Sequence, residues 1–298
     1  MYSIALKQNQ YPTYILSDQT SGARIEVVPE RGGIITQWHI HDTQILYFDA
    51  ERFSDPSQSV RGGIPILFPI CGNLPDNTYS LKDSDQTFTL KQHGFARDLP
   101  WSVSDRSANA DEARLQLTLE SSETTRRVYP FDFLLTYTYR LQGDRLILEQ
   151  QYSNTGDRPM PFSTGLHPYF QVEGTPAAKS QLQLEIPATQ YTDHLTHTEQ
   201  PYRGSLDWSV PEIDIAFRPI SAQQASIRAP KRQVQLSLEY DSAYTTLVFW
   251  TVEGKDYYCL EPWSAPRNAL NTSVDLLNLA PGESQTLTVT FTAQISNR

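Results

Sequence analysis

Cysteine and methionine are scarce, with two of each among 298 residues. Cys71 and Cys259 cannot make a disulfide framework, so a stapled secreted scaffold is excluded, and reduced thiols in a cytoplasmic setting are expected. Long apolar runs are missing too. The longest, Ile64–Cys71, contains two prolines and falls far short of the ~20 residues of a membrane helix. Positive charge is deficient: 24 Lys and Arg stand against 34 Asp and Glu, for a net charge of −10. That balance argues against nucleic acid, whose binding is driven by neutralising phosphates, and equally against an anionic membrane surface. Met1–Ile15 has no basic start followed by an apolar core, so no secretory signal is expected. There is no glycine-rich phosphate loop, no HExxH and no GxSxG elbow.

Aromatic residues are plentiful. Five Trp, sixteen Tyr and twelve Phe are too much apolar surface to leave in water, which excludes wholesale disorder. The dominant pattern has period two: Ala113–Leu119, Phe133–Leu141, Gln233–Tyr240 and Thr286–Ala293 all alternate. Turn signals lie between them, at Asn154–Asp157, Leu141–Asp144 and Ala280–Glu283. No amphipathic pattern of twelve or more residues argues for a long helix. The expectation is an all-β protein, a large antiparallel β-sandwich, with residues 1–298 forming a single domain. Ala177–Ser180 and Thr192–Gly204 are the candidate soft spots.

Some titratable residues invite a metal reading. Trp38–Asp42 would put His39 and His41 on one face of a strand, half a metal site, but no further ligands are indicated. His194 and His197 lie in a polar loop. For all four, a solvated histidine is the simpler expectation, and no metal or other cofactor is assigned.

Four stretches concentrate groups able to grip anions or move protons. They are Arg61-Gly62-Gly63-Ile64-Pro65, Gln92-His93-Gly94-Phe95-Ala96-Arg97, Gly165-Leu166-His167-Pro168-Tyr169-Phe170 and Cys259-Leu260-Glu261-Pro262-Trp263. Singly, each has a plain structural reading: the arginines as surface charges, His93 as a core histidine, Glu261 as the start of a loop. Together they combine rigid backbone, aromatic faces and a few polar groups, the composition of a sugar cleft.

These stretches, with Ile25–Gly33 and Tyr129-Pro130-Phe131, resemble the aldose 1-epimerase (galactose mutarotase-like) superfamily nearly end to end. RGGIP and QHGFAR look most like its glucose-6-phosphate 1-epimerase branch. The resemblance implies a β-supersandwich and interconversion of α and β anomers of a hexose or hexose 6-phosphate. It implies Glu261 as the base, kept ionised beside a charged imidazole, and His167 as the acid, the two facing each other across a gap one pyranose wide. It further implies Arg61, Gln92, His93, Arg97 and Asp214 as substrate-binding residues, with the arginines able to grip a phosphate. The chain departs from that branch at Trp263–Arg267, where a glycine usually follows the Cys-Leu-Glu-Pro motif, and Cys71–Tyr79 looks like relatives with other sugars. Free aldose and sugar phosphate therefore both stay open. Arg267 reads as a loop cap or an extra anion ligand, with the cap preferred. A non-catalytic sugar-binding protein is the alternative. A glycosidase would need a second carboxylate beside Glu261, for which Asp214 is the one candidate. The partner expected is a small sugar, with no nucleic acid and no membrane, and the chain is expected to be a monomer.

Overall fold

A computed structural model describes residues 1–81 and 86–296. Its helices are short, none exceeding six residues among the described ones. None is long and apolar enough to cross a membrane.

The alternating segments become antiparallel strands. One eight-stranded sheet runs, in spatial order, Gln183–Glu185, Gln224–Ala229, Val234–Tyr240, Ser284–Ile295, Arg145–Asn154, Phe133–Gln142, Ala113–Glu120 and Ser102–Ala108. Its strands bury every second residue, as in Leu115, Leu117 and Leu119. A second sheet runs Thr198–Pro201, Gln190–Asp193, Glu212–Phe217, Thr246–Val252, Tyr257–Trp263, Gly165–Leu166 and Ile66–Leu67, and Tyr169–Gln171 also pairs with Tyr257–Trp263. Five N-terminal strands between Tyr2 and Gln44 form a further sheet. The two large sheets share one core, where Phe170 of one meets Phe291 of the other at 5.9 Å between ring centroids.

Strand Tyr257–Trp263 is buried along its whole length, so its two faces do different things. Tyr258 and Leu260 point into the large core, while Tyr257, Cys259 and Glu261 lie on the opposite face. The neighbouring strands follow in register, with Asp214 opposite Trp250, Trp250 opposite Cys259, and Val248 opposite Glu261. Ile213, Ile215, Phe217, Leu247 and Phe249 fill the core side. The other side is a concave floor carrying Asp214, Val248, Trp250 and Glu261.

Both expected soft spots are structured. Pro176–Lys179 is a one-turn helix capped by the Thr175 hydroxyl, and its lysine lies buried with Nζ donating to the Val252 carbonyl. Burial lowers the Lys179 pKa to about 8. Thr192–Gly204 contains most of a hairpin, Gln190–Asp193 paired with Thr198–Pro201. His39 and His41 do not share a strand face: the strand ends at Ile40, and His41 turns away with φ of 50°.

Phe68 fixes the Arg61–Cys71 segment against the core, meeting the rings of Phe95, Tyr129, Phe133, Tyr152 and Phe162 at 5.2–6.0 Å. Truncation would leave a cavity that five large side chains cannot collapse into. Phe68→Ala is expected to lower unfolding free energy by about 3–5 kcal/mol. Urea denaturation checks this, and a loss below ~1 kcal/mol would contradict the packing argument.

Candidate active site

The four motif stretches meet over the floor of the second sheet. Two glycines allow close packing around them: a Cβ on Gly63 would lie 2.2 Å from the carbonyl oxygen of Ile35 in strand Ile34–Ile40, and one on Gly94 2.2 Å from that of Phe68. Both glycines also have positive φ. The His167 backbone N–H donates to the Pro65 carbonyl at 3.0 Å, tying the histidine loop to the Arg61 loop.

Arg61, Gln92, His93, Arg97, His167, Asp214 and Glu261 all line one cavity of about 210 Å³. At its floor, Glu261 Oε1 lies 3.3 Å from His167 Nε2, and Glu261 Oε2 accepts a hydrogen bond from Trp263 Nε1 at 3.0 Å. The two groups are therefore neighbours and do not face each other across a sugar-sized gap. The His167 ring stacks on Tyr169 at 4.7 Å with 10° between the planes, and it meets Trp250 and His93 edge-on. Its Nδ1 is buried with no partner.

Electrostatics here run opposite to the sequence expectation. Burial pushes the Glu261 carboxyl well up, with the Asp214 charge adding to it against the Trp263 hydrogen bond. Burial, then Arg97 and Arg61, lower His167 to about 3. Both shifts work against the charged forms, so burial penalises the carboxylate–imidazolium pair and favours its neutral counterpart. Both descriptions hold one proton between the same two residues. The reason for the difference is desolvation, which the sequence cannot display.

His93 is fixed differently. Its Nδ1 accepts the Gly72 N–H at 3.1 Å, and burial, then Arg97, hold its pKa well below the ordinary value. The neutral ring therefore carries its hydrogen on Nε2 and offers a donor.

Charge on the walls is unevenly compensated. Arg61 lies over the Trp250 ring at 5.1 Å, beside the Tyr169 hydroxyl. Arg97 donates to the Gln92 carbonyl at 2.9 Å and keeps a buried Nε without a partner. Neither guanidinium is ion-paired with a described carboxylate. Arg267, by contrast, is neutralised by Asp214 at 2.8 Å, so it is more than a loop cap.

Sequence reasoning missed Trp250 and the burial of His194, and it preferred a loop cap for Arg267. Trp250 supplies a wall, but a Trp inside the apolar run Thr246–Val252 carries no signal beyond core. Arg267 lines the cavity, and its departure from the family pattern was the available clue. His194 is not a solvated loop residue: its side chain is mostly buried against Asp214 at 2.8 Å. Among the described residues one metal-capable group converges, His167, Cys259 and Glu261, with donor atoms within 4.8 Å. Burial and Glu261 push the Cys259 thiol well up, and Arg61 adds positive charge nearby. The cluster therefore suits proton transfer better than cation binding.

Comparison with known proteins accords with this geometry. The profile of the family described as aldose 1-epimerase matches residues 15–292. The Slr1438 protein of Synechocystis sp. PCC 6803, a solved structure, is 46% identical with a TM-score of 0.92, over 99% of this chain and 100% of that one. A galactose mutarotase-like protein of Clostridium acetobutylicum shares the fold at a TM-score of 0.82 and 19% identity, over 99% of both chains. Protein LacX of Lactococcus lactis is 25% identical over 95% of this chain and 93% of its own. A candidate glucose-6-phosphate 1-epimerase of Cenchrus ciliaris is 27% identical over 68% of this chain and 60% of its own.

Proposed function

The chain belongs to the aldose 1-epimerase family, and from that premise we propose that it interconverts the α and β anomers of a hexose 6-phosphate. The observation that carries the reaction class is the buried Glu261–His167 pair, 3.3 Å apart. Anomer exchange needs one proton taken from O1 and one given to the ring oxygen O5 while the C1–O5 bond breaks. Rotation about C1–C2 and the reverse transfers then close the ring on the other face. O1 and O5 are both bonded to C1, so an acid and a base side by side address them better than groups on opposite sides of the ring.

With Glu261 as carboxylate and His167 as imidazolium, Glu261 takes the O1 proton and His167 protonates O5. The pair is then left as carboxyl and neutral imidazole. That is the state toward which burial shifts both groups, and it is the one required for closing an open-chain aldehyde. Glu261 then returns its proton to the carbonyl oxygen, and His167 takes the hydroxyl proton from O5. Net protons balance, so no other reactant is required. His93 would donate from Nε2 to the sugar, and Tyr169, Trp250 and Trp263 would supply apolar faces for the ring.

The phosphate rests on Arg61 and Arg97, the two wall guanidiniums without an acid partner among the described residues. A dianionic group would neutralise them through charge-assisted hydrogen bonds.

Glu261→Gln and His167→Ala are each expected to lower kcat by about 10²–10⁴-fold, measured by NMR anomer exchange. Undiminished exchange in both variants would defeat the mechanism. Arg97→Ala should raise KM for glucose 6-phosphate by roughly 10–100-fold, and for glucose by less than about threefold. Equal losses would remove the phosphate and leave a free aldose. The pH dependence follows from the shifts. His167 is depressed, so the second proton arrives only near pH 3; Glu261 is raised, so the single proton leaves later than an ordinary carboxyl would lose it. The profile of kcat/KM should therefore have its acid limb far below pH 6.5 and its alkaline limb above the ordinary carboxylate range. An acid limb near 6.5 would contradict the desolvated pair.

A further inference from the structure

The His194–Asp214–Arg267 group stands apart from the proton-transfer pair. Asp214 lies on the floor face of strand Glu212–Phe217, with its carboxylate approached from two loops. Its Oδ1 contacts His194 Nδ1 at 2.8 Å and accepts from Arg267 Nη2 at 3.1 Å; its Oδ2 accepts from the same Nη2 at 2.8 Å. Arg267 is itself held by Asn73 Oδ1 at 3.0 Å and lies over the Trp263 ring. His194 sits at the turn joining Gln190–Asp193 to Thr198–Pro201. That turn is fixed by Asp193, whose Oδ1 accepts the backbone N–H groups of Leu195 and Thr196. The His194 backbone N–H also donates to the Asp214 carbonyl at 2.8 Å.

A carboxylate offers about four lone-pair directions, two per oxygen. Here Oδ1 is saturated by two donors, and Oδ2 keeps one free direction. Burial alone would raise the Asp214 pKa, but the His194 hydrogen bond and the Arg267 charge outweigh it and hold the group ionised. With the carboxylate ionised, the contact requires His194 to carry its hydrogen on Nδ1.

We propose that His194 is a positioning residue which, with Arg267, leaves Asp214 a single acceptor direction, so that Asp214 reads one sugar hydroxyl and not an adjacent pair. The inference rests on the sugar-binding reading of the same cavity. A carboxylate without such partners can accept from two neighbouring hydroxyls at once. This one discriminates at a single position and tolerates change at the next carbon. Neither His194 nor Arg267 need touch the reacting atoms, so the effect belongs to binding.

His194→Ala removes the ring donor while the backbone hydrogen bond that docks the turn stays in place. Expected is a second sensitive position: the KM penalty for removing the neighbouring hydroxyl, absent in the wild type, should grow to roughly tenfold, the worth of one charge-assisted hydrogen bond, with kcat changed less than about twofold. His194→Asn, whose side-chain amide nitrogen falls near the position of Nδ1, should restore the single sensitive position. In the full-length wild type, the affinity cost of Asp214→Asn should vanish with one monodeoxy hexose, and in His194→Ala with two adjacent ones. A single sensitive position in His194→Ala, or two in the wild type, would overturn the proposal. So would equal losses in the Ala and Asn variants accompanied by a lowered Tm, which would mark a merely structural role. Carbon-13 NMR titration of the Asp214 carboxyl gives a readout independent of turnover. Its pKa should rise in His194→Ala and return in His194→Asn, and no movement would sink the clamp. If the wild type exchanges no anomers while the Asp214 titration behaves as expected, the epimerase reading fails and the clamp survives.

Discussion

A carboxyl group and an imidazole, 3.3 Å apart and almost completely buried, are the constraint on which the rest of this molecule turns. Neither could be placed there charged and alone without a heavy desolvation cost. Sharing one proton lowers that cost, and the surroundings decide where the proton rests. The sheet must in turn be rigid enough to keep the pair from separating into water. Strand Tyr257–Trp263 achieves this by being buried on both faces, with Tyr258 and Leu260 locked in the inter-sheet core beneath Glu261. The cavity floor is the back of the hydrophobic core, and core packing therefore sets the geometry of the acid–base groups.

The wall charges show why a bulk property misleads about a local one. The chain carries −10 overall, yet three arginines line the cavity, two without a carboxylate partner among the described residues. Arg61 is stacked on Trp250 and Arg97 is anchored by a main-chain carbonyl, so both are held by contacts that leave their charge uncompensated. Arg267 is spent on Asp214. Three residues of one type thus divide into two that are free for an anion and one that organises an acid. This division is the ground on which a phosphorylated sugar is proposed over a neutral one.

Much of the fold was legible in the sequence because strands buried on one face must alternate. Ala113–Leu119 and Phe133–Leu141 announce themselves this way, and the observed strands exceed them only by one residue at the C-terminal end. Where burial is two-sided the alternation disappears. Thr246–Val252 reads as an undivided apolar run, and nothing in it marks Trp250 as facing a cavity while Phe249 faces the core. The Gly- and Pro-rich loops were legible as rigid, and their arginine, glutamine and histidine residues do meet in one cavity. His194 was not, since a histidine in a polar hairpin turn looks solvated until the turn is laid against strand Glu212–Phe217.

By itself, the sequence determined that this is an antiparallel β protein, and it singled out side chains that converge on one cavity, because periodicity and motif spacing are local properties of the chain. Only the tertiary structure decided how those side chains are charged and oriented. Proton placement on Glu261 and His167, the free state of Arg61 and Arg97, and the saturation of Asp214 all depend on solvent exclusion and on neighbours from distant segments. Dielectric environment and long-range contact exist only once the sheets have closed over one another.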